Sequence, residues 1–175
     1  MLNLREEEII IGCLKNDRMS QKALYDLYKT KMYTLSYRIT NNFEDANDVL
    51  QEGFIQVFEG LKSFQGKSQL GTWIHTIIAR AALKKIKDRI HFVELNNNNE
   101  ESQDLDWGSI VDIKLLEQSI ADLPPGYRSI FTLYEIEGFK HKEIADMLDI
   151  SINTSKTQLR KAKIQLQEKL KTLKY

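Results

Sequence analysis

Cysteine is nearly absent from this 175-residue chain, which holds only Cys13. One thiol closes no internal disulfide, and the paired Cys and His spacings of a zinc site are missing, so the expected compartment is a reducing cytoplasm. Long apolar runs are missing as well. None approaches the roughly 20 residues of a membrane-spanning helix. The opening stretch turns acidic at Glu6-Glu7-Glu8, where a secretory leader would stay basic and then apolar, which predicts a protein with neither export signal nor membrane association. Net charge is the third absence, because 25 Lys and Arg balance 25 Asp and Glu. A neutral total ordinarily argues against nucleic-acid binding.

What is present reverses that last inference, because the charges are segregated. Residues 1–60 hold 7 Lys or Arg against 10 Asp or Glu, 61–90 hold 7 against 1, 91–125 hold 1 against 8, and 126–175 hold 10 against 6. Two basic blocks alternate with two acidic ones, the pattern of a chain that touches DNA at two separated places and protein elsewhere.

Apolar residues recur at helical spacing through Ala23, Leu24, Leu27, Tyr28, Met32, Leu35 and Ile39, and again through Ala46, Val49, Leu50, Phe54, Val57, Phe58 and Leu61. Asn41-Asn42 separates these two helices. The segment from Phe64 to Ser68 breaks the pattern before a third helix carrying Trp73, Ile74, Ile77, Ile78, Ala81 and Leu83. From His91 to Ser109 the periodicity fails. Four asparagines at 96–99 and five carboxylates (Glu94, Glu100, Glu101, Asp104 and Asp106) occur there without a single Lys or Arg, which predicts a solvated linker. Helical pattern resumes near Ile113. Pro124-Pro125 predicts a stop and a restart, because proline suits the first turn of a helix but not its interior. Gly138 ends the next helix.

From Gly138 to Leu170 the pattern is a helix-turn-helix. Ala145 is small where two helices would cross closely, and Ile144, Leu148, Ile150 and Leu159 would fill the angle between them. Asp149 stands in the turn where glycine is usual, and Asp tolerates a left-handed backbone. Ser151, Asn153 or Thr154 can cap the second helix. Its basic residues are then interleaved with Thr157 and Gln158, and its N-terminal half would enter a major groove. Alone, such a basic helix reads as a solvated face; the preceding turn favours the groove reading.

The other constellation is Asp45-Ala46-Asn47-Asp48-Val49-Leu50-Gln51-Glu52-Gly53-Phe54, followed by Gln56, Val57 and Phe58. Spacings of three and four bring Asp45, Asp48 and Glu52 together on one helix face, as in a metal site, but no histidine or second acidic cluster completes one. A solvated face or a polar docking surface, with Phe54 and Phe58 turned inward, remain the two plausible uses. Downstream, Lys67, Arg80, Lys84, Lys85, Lys87 and Arg89 suit phosphates, and Phe64, Trp73 and His75 lie near them. Trp73, placed among isoleucines at helical spacing, is expected in the core.

Together DANDVLQEGFIQVF, FQGKSQLGTWIHTIIARAALKKIKDR and LPPGYRSIFTLYEIEGFKHKEIADMLDIS resemble the extracytoplasmic-function group of bacterial RNA polymerase sigma factors over nearly the whole chain. The resemblance implies an all-α protein of two small helical domains, region two (1–90) and region four (113–175), joined by a flexible acidic linker (91–112). It implies that Asp45, Asp48, Gln51, Glu52 and Gln56 dock on the clamp helices of the largest polymerase subunit. It implies minus-ten recognition by Phe64, Lys67, Ser68, His75, Arg80, Lys84, Lys85 and Lys87, with a flipped base of the melted non-template strand captured near the loop from Phe64 to Leu70. It implies minus-thirty-five recognition of duplex DNA by Thr154, Ser155, Lys156, Gln158, Arg160, Lys161 and Lys163, with region four also docked on core polymerase, at its flap. The linker would either thread toward the polymerase active centre as a nucleic-acid mimic or act as a plain tether. Family members are commonly held by an anti-sigma factor. No cofactor, metal or enzymatic activity is implied.

Departures from the family pattern fall at Arg80, where Asn is common, at Lys84, where an acid is frequent, and at Gln158, where Arg is usual. They bear on which promoter is read. The rival functions are a stand-alone helix-turn-helix regulator that binds operator DNA by itself, and a small metal-dependent hydrolase built on Asp45, Asp48 and Glu52.

Overall fold

The computed structural model describes residues 4–91 and 113–172. The predicted linker, apart from its first residue, lies outside the described residues. Two compact units are formed, Met1–Lys85 and Ile86–Tyr175. Among the described residues all regular structure is helical.

The N-terminal unit contains α1 (Leu4–Leu14), α2 (Arg18–Thr40), α3 (Phe43–Gly60) and α4 (Leu70–Lys85). The limits of α2 and the start of α3 have local causes. Asp17 caps α2 by accepting from the Ser20 amide at 2.8 Å. Asn41 ends α2 in the left-handed region (φ 51°), and the Asn42 side chain then caps α3 by accepting from the Asp45 amide at 2.9 Å. A two-residue corner therefore turns the chain from one long helix into the next.

The core of this unit is the meeting of three stripes: Leu24, Met32, Leu35 and Ile39 from α2; Ala46, Val49, Leu50, Phe54 and Val57 from α3; Leu70, Ile74, Ile78 and Ala82 from α4. At the α3–α4 crossing Gly53 is needed for its size, since a Cβ there would lie 2.3 Å from Ile78 Cδ1. Tyr28 fastens α1 to α2 by donating its hydroxyl to Glu6 at 2.9 Å; burial first, and Glu6 second, push its phenol pKa up. Leu27 departs from the expected stripe and is 56% exposed.

The C-terminal unit contains α5 (Ile113–Ala121), α6 (Pro125–Phe131), α7 (His141–Leu148) and α8 (Ile152–Thr172). Pro125 occupies the first turn of α6, as expected of the proline pair. Buried Arg128 reaches back from α6 and donates to the carbonyls of Ala121 (3.0 Å) and Leu123 (2.8 Å), satisfying the exposed carbonyl end of α5. Past Phe131 the chain continues as a π-helical turn over Thr132–Ile136, and Gly138 (φ 75°) closes it. The core is drawn from Ile130, Phe131, Leu133, Ile144, Ala145, Leu159, Ala162 and Leu166.

Candidate functional site

Two surfaces carry the charged motifs, one on each unit. On the N-terminal unit, burial of Ala46, Val49, Leu50, Gly53, Phe54 and Val57 turns the opposite face of α3 to solvent. Asp48, Gln51, Glu52 and Gln56 are exposed there and Asp45 is half-buried. Phe54 is inward as expected, whereas Phe58 is only half-buried. The same face exposes an apolar residue absent from the expected site, Ile55, at 57%. Its signal was present in the spacing, since residue 55 lies one step past buried Phe54 and two before buried Val57, off the apolar stripe.

The structure couples two sites that the sequence presented as separate. Lys85, expected among the phosphate-contacting residues, places its ammonium 2.8 Å from Asp48 and 3.8 Å from Asp45, two residues of the expected docking helix. The hydrogen bond to Asp48 is the main cause of a raised lysine pKa. In this conformation Lys85 is therefore engaged by carboxylates, because the end of α4 packs beside the start of α3. Among the described residues no three His, Cys, Asp or Glu side chains converge as a metal-ligand set, and the ammonium of Lys85 stands beside two of the three carboxylates of the hydrolase reading.

Around this helix pair the other basic and aromatic residues are distributed as a rim. Lys67 and Ser68 are exposed in the loop before α4, Arg80 and Lys84 are exposed along α4, and His75 is half-buried; Lys87, also exposed, belongs to the second compact unit. Phe64 packs on Trp73 with ring centroids 5.1 Å apart. Trp73, expected in the core, is half-buried: it lies over Gly60, whose missing Cβ would approach the indole to 3.2 Å, and supports Phe64 from below. The aromatic pair thus holds the loop from Phe64 to Leu70 against the end of α3.

On the C-terminal unit the turn between α7 and α8 is built as the sequence suggested. Asp149 adopts the left-handed conformation (φ 55°, ψ 49°). Of the three possible caps it is Ser151 that serves, accepting from the Thr154 amide at 2.9 Å. Ile144, Ala145 and Leu159 are buried in the angle, while Leu148 and Ile150 are half-buried at its edge.

Two expected DNA-reading residues are corrected here. Ser155 and Gln158 are 0% and 1% exposed, so neither side chain is presented to a ligand in this conformation. The cause is helical periodicity: Ser155, Gln158, Leu159, Ala162, Leu166 and Leu170 form one stripe that faces the core. Ser155 instead binds Nδ1 of His141 at 2.9 Å, joining the starts of α7 and α8, and the His141 ring stacks on Tyr134 at 4.2 Å. Burial, followed by Lys156, lowers the His141 pKa, with Lys163 adding a smaller push and Glu135 opposing. The outward face of α8 exposes Lys156, with Thr154, Arg160, Lys161 and Lys163 half-buried. Lys163 is paired with Glu135 at 2.6 Å.

An acidic and polar helix face beside a basic rim on one bundle, and a capped helix-turn-helix with a cationic second helix on another, define a DNA-binding transcription protein. The comparisons with known proteins agree: the Sigma-70 region 2 model matches residues 24–90 and the Sigma-70 region 4 model matches residues 113–166, together more than two thirds of the chain. The chain is 26% identical over 174 residues to the ECF RNA polymerase sigma factor SigW of Bacillus subtilis, covering 91% of this chain and 93% of that one. It is 21% identical to the ECF RNA polymerase sigma-E factor of Haemophilus influenzae, covering 97% of each. Its fold is similar to that of the sigma factor RpoE of Bartonella quintana, solved with the anti-sigma factor NepR (TM-score 0.55, 21% identity, 86% of this chain and 96% of that one). It is also similar to CnrH, solved with the cytosolic domain of CnrY (TM-score 0.56, 17% identity, 95% and 97%). The chain belongs to the extracytoplasmic-function group of the sigma-70 family, the factors that direct RNA polymerase to promoters.

Proposed function

We propose that the two surfaces divide the work of promoter recognition. Region two, taken as residues 1–90, docks on the clamp helices of the largest polymerase subunit through Asp45, Asp48, Gln51, Glu52 and Gln56. The rim of Phe64, Lys67, Ser68, His75, Arg80, Lys84 and Lys87 follows the non-template strand at the minus-ten element. Bases captured from that strand offset the few kcal/mol lost on unstacking each step, so binding drives melting and the chain itself performs no chemistry. Region four, taken as residues 113–175, lays α8 in the major groove at minus-thirty-five, with Lys156, Arg160 and Lys161 toward phosphates or base edges, Thr154 at the groove edge and Lys163 held back by Glu135. It works in the cytoplasm; no helix among the described residues is long and apolar enough to cross a membrane. An anti-sigma factor is its expected regulator, since both solved relatives are held by protein partners, NepR and the cytosolic domain of CnrY.

The observation that carries this reading is the segregation of opposite charge onto neighbouring faces of α3 and α4, with a second cationic helix on a separate unit. The test is in vitro transcription with core polymerase over a random promoter library, followed by sequencing of the transcribed templates. Two enriched elements are expected, and Lys156→Ala should weaken transcription across sequences and lower the salt slope of binding by about one. Tight binding of a specific duplex by the chain alone, with no association with core polymerase, would overturn the reading in favour of a stand-alone regulator.

A further inference from the structure

Lys85 closes α4, and its place in the sequence motif groups it with the phosphate-contacting cations. Its surroundings are acidic instead. The ammonium donates to Oδ2 of Asp48 at 2.8 Å and stands 3.8 Å from Asp45, and Glu52, one turn further along α3, also favours its charged form. The Lys85 and Asp45 side chains are 29% and 14% exposed and that of Asp48 is 54% exposed, so water reaches Asp48 far more than Asp45. Carboxylates at spacings of three and four on one helix repel one another. Lys85 is the cation that a second helix sets among them.

We propose that Lys85 is a positioning residue of the core-polymerase docking face and does not contact promoter phosphates. The inference rests on the docking role proposed for α3. Because the ammonium binds Oδ2 of Asp48, that carboxylate is held in one orientation and its other oxygen serves a partner's donor. A side chain ordered before binding loses less freedom when the partner arrives. A phosphate approaching Lys85 would meet the field of Asp45, Asp48 and Glu52 at distances shorter than the screening length of about 8 Å. Drawing the ammonium away would also leave the largely covered Asp45 carboxylate beside Asp48 with no cation from α4 between them. Arg80 and Lys84, exposed on the same helix, are the cations of α4 left to DNA.

The test uses the full chain with Lys85→Met, which keeps an apolar stem and removes the charge, beside Lys85→Arg, which keeps the charge. Core affinity is read from the anisotropy of the N-terminally labelled chain titrated with core polymerase. Lys85→Met should bind core about two- to fivefold more weakly, the range of an exposed ion pair, and Lys85→Arg should recover that loss. In an Asp48→Asn background Lys85→Met should cost less than it does alone, because the hydrogen bond is already weakened. Assembled with saturating core, the Lys85→Met protein should bind a template recovered from the random promoter library with an unchanged salt slope, whereas Arg80→Met should lower the slope by about one. A slope lowered by about one in Lys85→Met would put its ammonium on DNA and overturn the proposal. Unchanged or tighter core binding by Lys85→Met would overturn it too, as would a failure of Lys85→Arg to recover the loss. Asp48→Asn separates this inference from the reading beneath it: if that variant weakens core binding and Lys85→Met does not, positioning fails and docking by α3 stands. If neither variant weakens it, both fail.

Discussion

The corner between α2 and α3 and the corner between α7 and α8 are built from the same local parts. Each has a non-glycine residue in the left-handed region (Asn41, φ 51°; Asp149, φ 55°). In each a side chain then caps the next helix, Asn42 for the Asp45 amide and Ser151 for the Thr154 amide. Yet the first leads into a helix whose opening turn is acidic, with Glu44 and Asp45, and the second into a helix without acids in its first turn and with cations along its length. Turn geometry is therefore a shared solution to ending one helix and starting another, and the charge of the face that follows decides whether a corner is suited to a basic or an anionic partner.

If that equivalence is real, the largest effect comes from emptying the two corners. Ile39→Ala and Ile144→Ala each remove a fully buried side chain, and each should cost about 2–5 kcal/mol by urea unfolding. Equal costs within error would support the parallel, and a negligible loss at either would break it. Next come the caps: Asn42→Ala and Ser151→Ala should each cost about 1 kcal/mol in the same assay.

A difference between the corners should show in their pH response. His141 binds Ser155 at the second corner, and its pKa is lowered in the folded state by burial and by Lys156. The unfolded chain then binds the proton more tightly than the folded one, so stability is present above the ordinary histidine pKa and falls as pH drops below it. Thermal melts between about pH 7 and 5 should show a decline that His141→Gln removes. The smallest expected effect is at the left-handed residues: Asn41→Gly and Asp149→Gly should be neutral or stabilising by a few tenths of a kcal/mol, since the relieved backbone strain is offset by added unfolded-state entropy.

The local features of these corners were legible in the sequence because their causes are local. Asn41-Asn42, Pro124-Pro125, Gly138 and Asp149 act through their own backbone preferences, and all four mark real boundaries. Arg128 was not legible, because its role depends on carbonyls five and seven residues away brought into reach by the fold. The expected recognition residues divide along the same line. Lys156 lies on the exposed face, whereas Ser155 and Gln158 belong to the core stripe, and motif matching by position does not distinguish faces one residue apart. Lys85 shows the same limit, since its attachment to Asp48 joins residues 37 apart in the chain.

The sequence by itself determined most of the helices, the breaks between them, the segregation of charge and the family. These follow from short-range backbone chemistry, helical periodicity and motif order. Only the tertiary structure decided which polar side chains of α8 are outward and that Lys85 is held by the carboxylates of α3. Each of those depends on which face a neighbouring helix covers, and that is a property of packing between distant segments.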